Sequence, residues 1–157
     1  MTLALATRIG TGYLMATALA VALALALTPV FHDGSPEYPA WRVLNWFMAA
    51  GVVAIVAVNG WRYRGAGGAG GAGGAGGAGG DGAAAVDSLR AALAFYGSIA
   101  LAMLFFWGWF WTLNPDSETG AAVTSHLVYF PVMDVLYVAL ALSSGRWLWR
   151  KASGPRT

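Results

Sequence analysis

The sequence predicts an all-α membrane protein of four transmembrane helices, arranged as two helical hairpins joined by a flexible Gly/Ala cytoplasmic linker, with both termini cytoplasmic. Three observations carry that prediction. The 157 residues are 58% hydrophobic and only 10% charged, whereas soluble domains carry about 25% charged residues. The apolar residues gather in four blocks, each reaching the roughly 20 residues that span a bilayer. The basic residues fall almost entirely at one edge once successive spans alternate direction.

The first block runs from Ile9 to Phe31. A secretory signal with Arg8 as its basic flank is the competing reading, but the apolar run is longer than the roughly 7–15 residues of a signal core. A true span is expected. The second block runs from Trp41 to Trp61, the third from Leu89 to Leu113 and the fourth from Val123 to Trp149. Arg8, Arg62, Arg64, Arg90, Arg146, Arg150, Lys151 and Arg156 share one edge, and Arg42 alone takes the other. Excess Lys and Arg mark the cytoplasmic side. The basic pI near 9.2 is therefore a topology signal with an attraction to anionic lipid headgroups, and no nucleic-acid partner is expected. Residues 1–64 form the first hairpin, 65–86 the linker, and 87–157 the second hairpin with a short basic tail.

Residues 65–82 are almost pure glycine and alanine. Without proline the period is not collagen-like, and glycine is the residue that loses most entropy on ordering. A tether of this length has an end-to-end distance of roughly 20–25 Å, so the second and third spans need not be neighbours. The hairpins resemble each other, Leu44–Arg64 ending Asn-Gly-Trp-Arg-Tyr-Arg and Leu127–Arg150 ending Ser-Gly-Arg-Trp-Leu-Trp-Arg. Either a pseudo-repeat about the membrane normal or the general habit of ending spans in Trp and Arg explains this. Phe105, Phe106, Trp107, Trp109, Phe110 and Trp111 crowd the third span's outer end. An interfacial belt explains such rings singly; rings on every side of one helix point to neighbours on several faces.

Chemistry has few places to reside. The absence of cysteine excludes thiolate metal sites and iron–sulfur clusters. Both histidines, His32 and His126, fall at the outward rim with Asp33, Glu37, Asp116 and Glu118. Carboxylate plus imidazole suits divalent copper or zinc. Asp116 and His126 are therefore the candidate metal ligands, with His32-Asp33 able to complete a site if the hairpins pack suitably. A solvated interfacial histidine is the other reading, because a metal site wants three or four ligands. Asp134 is the one acid well inside a span, where an ionisable group defaults to a functional hypothesis. It is either a polar anchor, protonated or bonded to Ser98, Asn45, Asn59 or Tyr137, or a proton-handling site. The glycine tract lacks the Lys-Ser/Thr of a phosphate-binding loop, and no nucleophile stands beside a base.

The run Pro36-Glu37-Tyr38, Trp41 and Asn45-Trp46-Phe47, closing in Trp61-Arg62-Tyr63-Arg64, is followed by Trp107-Gly108-Trp109, a polar loop Asn114–Thr124, and Ser125-His126-Leu127-Val128-Tyr129-Phe130. That order resembles the C subunit of the particulate methane, ammonia and hydrocarbon monooxygenases, copper-dependent membrane enzymes. The resemblance covers most of residues 1–150. In the family an outer-loop Asp, a His four residues later and the Ser-His histidine bind copper. Asp116 and His126 match two of these positions, while Gly120 stands at the third and the loop is shorter. The resemblance thus implies a shortened relative with an incomplete copper motif. It would be a subunit of such a complex in the bacterial inner membrane, accessory, structural or copper-supporting rather than catalytic alone, with other integral-membrane subunits and lipids as partners. The alternative is a structural small subunit of another membrane complex, respiratory or photosynthetic. A self-contained transporter is a third reading, set back by having a single buried charge.

Overall fold

The computed structural model describes residues 3–31, 39–67, 82–114 and 128–153. These form four helices: α1 (Leu3–Phe31), α2 (Pro39–Gly65), α3 (Gly82–Thr112) and α4 (Phe130–Ser153). The fold is all-α among the described residues, and α1, α2 and α3 are each long and apolar enough to cross a membrane. At about 1.5 Å per residue they measure roughly 40–46 Å, more than the roughly 30 Å hydrocarbon layer. They therefore begin or end outside their apolar blocks. α2 opens on Pro39, tolerated in a first turn because its missing N–H would have no helical partner. α3 opens at Gly82, inside the stretch expected as linker, because Ala83-Ala84-Ala85 is strongly helix-forming. Between Asp134 and Arg146 the apolar run of α4 is too short to qualify as a span on composition alone.

Three threonine hydroxyls on α1 are satisfied within the helix. Thr11 donates to Thr7 O, Thr17 to Tyr13 O and Thr28 to Ala24 O, the back-bonding that lets threonine sit in an apolar helix. Pro29 falls in the last turn, where it removes one ladder bond near the helix end.

Packing does not follow chain order. α1 lies chiefly against α4, and α2 chiefly against α3, although α2 and α3 are the helices that the linker separates. α2 and α4 also touch each other, whereas α1 and α3 stand apart. The cross-section is a rhombus with α2 and α4 on the short diagonal. The core gathers along that diagonal from Leu14, Val21, Met48, Val52, Ile55, Leu101, Phe105, Met133, Tyr137 and Ala141. Two glycines permit the close approach. A Cβ on Gly51 would overlap the Tyr137 ring, with Cζ at 2.9 Å, and one on Gly108 would lie 3.2 Å from Tyr129 Cζ. The structural reason for the rhombus is thus small residues facing bulky rings, a signal distinct from chain connectivity.

Candidate functional site

α4 is the helix that turns polar side chains inward. Its buried face includes Met133, Asp134, Tyr137, Ala141, Ser144, Gly145 and Leu148, the 3–4 residue spacing of one helical face. Three hydrogen bonds radiate from it and its first turn. Tyr137 OH donates to Thr17 Oγ1 on α1 at 2.9 Å. Asn59 Nδ2 on α2 donates to Ser144 Oγ at 3.1 Å. Tyr129 OH, one residue before α4, donates to Leu104 O on α3. A fourth bond, Tyr13 OH to Phe47 O at 2.6 Å, ties α1 to α2. In an apolar surrounding such bonds fix register as well as adding strength.

Two acceptors in this interior lack partners. Asn59 Oδ1 is buried and unbonded among the described residues. Asp134 is only 2% exposed. The anchor partners expected for it are mostly engaged elsewhere: Ser98 donates to Phe95 O, Asn59 to Ser144, and Tyr137 to Thr17. Asp134 makes no hydrogen bond or ion pair with any described residue. Because Tyr137 lies beside Gly51, and Ser144 beside Asn59, α2 and α4 run parallel in register. Asp134 then falls level with buried Met48, one turn toward the N-terminal end of α4. An unpartnered carboxyl in such a layer is costly to bury. Asp134 and Asn59 are separate features, since Asp134 and Ser144 stand about 15 Å apart along α4.

The expected metal ligands Asp116 and His126 lie outside the described residues, as do Gly120, Glu118 and the His32, Asp33 and Glu37 group. Among the described residues no three His, Cys, Asp or Glu side chains come together. The interior seam of Thr17, Gly51, Asn59, Tyr137 and Ser144 was not singled out as a unit by sequence reasoning. The available signal was the glycines within the apolar runs, Gly51 in the second and Gly108 in the third among them, since small residues in spans mark close helix approach. Comparison with protein-family models, curated proteins and solved structures yields no match for this chain.

Proposed function

We propose that this chain is an accessory integral-membrane subunit of a larger membrane complex, crossing the bilayer four times with both termini and the Gly/Ala linker on the cytoplasmic side. The observation that carries this reading is the outward display of α3. Its contacts within the chain are with α2 and α4 only, yet Phe110, Trp111 and Trp107, the last beside the Tyr129 ring, all remain exposed. On α2, Phe47 and Trp46, the latter edge-on to Trp109, are exposed as well. Neighbouring helices of a larger assembly would cover them, aided by the close packing of rings. Placing α4 as the fourth span is supported by its inward-facing Asp134 and Ser144 and by Arg146, Arg150 and Lys151 at its end, the distribution expected of a span anchored at the positive side.

The specific assembly we propose is a copper-dependent membrane monooxygenase of the bacterial inner membrane. The support is the motif order around Pro36-Glu37-Tyr38, Trp107-Gly108-Trp109 and Ser125-His126, with Asp116 and His126 as residues that would hold or support copper. Mild-detergent purification of the native complex tests this. Larger membrane subunits and copper should copurify, and Asp116→Ala or His126→Ala should lower copper per complex while leaving assembly intact. Copurification with respiratory or photosynthetic chains would move the subunit to that class, and purification of the chain alone would overturn the reading. Asp134→Asn in the same preparation separates its two roles, since an amide keeps a polar anchor and abolishes a proton site.

A further inference from the structure

The basic ends of three helices line a half-open cavity of about 300 Å³, at the lower end of the volumes of small-molecule sites. Arg62 reaches it from α2, Arg90 from α3, and Arg146 and Arg150 from α4. Asp87 is the one acid in its wall and is bound to Arg90 at 3.2 Å, with both side chains exposed. Arg62, Arg146 and Arg150 have no carboxylate partner among the described residues. Four guanidinium groups against one carboxylate leave the cavity three charges positive.

Helix termini alone do not account for this gathering. Cations in the last turns of α2 and α4 complement the helix dipoles, but Arg90 lies toward the N-terminal end of α3, where a cation gains nothing from the dipole. The four side chains also converge on one space rather than spreading round the rim. Trp147 supplies the apolar wall. Its ring sits edge-on to Trp61 at 5.7 Å, and Lys151 Nζ lies 3.6 Å from the centre of the Trp61 ring and 5.0 Å from that of Trp147. That clamp ties α2 to α4 and holds the wall in place through two cation–π contacts. Ser143 adds a hydroxyl donor or acceptor.

We propose that this cavity binds a phosphate group, and that its source is the headgroup of an anionic phospholipid. Guanidinium forks match phosphate oxygens in geometry and charge. Basic pockets between helices on the cytoplasmic side of a membrane are where such headgroups dock. The lipid source rests on the membrane placement proposed above and is independent of which complex the subunit joins.

The test uses the full chain purified in mild detergent. Native mass spectrometry reads retained lipid after exchange against cardiolipin, phosphatidylglycerol or phosphatidylcholine, and a parallel titration uses inorganic phosphate. One anionic phospholipid per chain should be retained in preference to phosphatidylcholine. Arg146→Gln and Arg150→Gln should each weaken that retention about fivefold, the value of one basic residue near an anionic headgroup. Arg64→Gln, a basic change on α2 that does not line the cavity, should leave it unchanged. Helical circular dichroism of each variant, with retained phosphatidylcholine as a second readout, separates binding from misfolding. Saturable phosphate binding with no lipid preference would keep the phosphate site and overturn the lipid source. Equal losses in Arg64→Gln and Arg146→Gln, or no retention of either ligand, would overturn the site. Release of the chain from membranes by alkaline extraction would instead remove the membrane placement, a failure distinct from loss of the site.

Discussion

The α1–α4 and α2–α3 interfaces solve the same problem by different means. Against α1, α4 places Tyr137, Gly145 and Leu148; Gly145 approaches Leu14 and Met15, and Gly10 lies by Leu148. One buried bond, Tyr137 to Thr17, sets the register. Between α2 and α3 the contacts are chiefly those of interlocking rings, with a polar contact between the Tyr63 and Tyr96 hydroxyls at one end. Trp46 meets Trp109 edge-on at 4.7 Å, and Tyr63 stacks on Phe95 at 5.1 Å. In lipid, association of apolar helices gains little from burying apolar surface, so it depends on close contact and on polar bonds. The first interface uses small residues and hydroxyls, and the second uses complementary aromatic shapes. The difference teaches that a chain can be uniformly apolar and still encode two distinct kinds of specificity.

The largest expected break is in the aromatic interface. Trp109→Ala removes a buried ring that touches Trp46, Phe105 and Phe106. We expect destabilisation of about 3 kcal/mol, the lower end for deleting a large buried ring, read by detergent-induced unfolding followed by circular dichroism. A smaller loss of about 1–3 kcal/mol should follow from Gly51→Ala, because the new methyl overlaps the Tyr137 ring. Tyr137→Phe alone should lose about 0.6–1.7 kcal/mol with its bond to Thr17. In the double variant the loss should fall short of the sum, since removing the hydroxyl removes the atom nearest the added methyl. Full additivity would show that the Gly51 notch and the Tyr137 bond are independent.

Much of the architecture was legible because membrane insertion is written in composition. The apolar blocks mark α1, α2 and α3, and the interior placement of Asp134 follows from its position in the fourth block. Partner choice was less legible. The linker suggested two hairpins, whereas Gly145 against Leu14 and Met15, and Tyr63 against Phe95, select α1–α4 and α2–α3. Such selection depends on which faces meet, and a periodicity read along one helix does not reveal its neighbour's face. The pairing of Asn59 with Ser144 spans 85 positions of sequence and had no local signature. The expected copper residues Asp116 and His126 lie outside the described helices, so their part in the account rests on motif order.

The smallest effect concerns that same Asn59–Ser144 pair. Its Oδ1 is buried without a partner, so the bond's gain is offset by an unpaired acceptor. Replacing both residues together, Asn59→Leu with Ser144→Ala, should be near neutral, because removing both partners leaves no orphaned group. Asn59→Leu alone should be the more destabilising change, leaving the Ser144 hydroxyl buried without its donor.

The most direct test of the account is the sidedness of α4. The chain has no cysteine, so a single introduced thiol reports without background. Ser88→Cys marks the start of α3, Asn114→Cys the position just past its end, and Ser153→Cys the end of α4. In sealed vesicles with a membrane-impermeant thiol reagent, the account predicts that Ser88→Cys and Ser153→Cys label from the same side and Asn114→Cys from the opposite side. Labelling of Ser153→Cys together with Asn114→Cys would show that α4 does not cross, contradicting the four-span subunit.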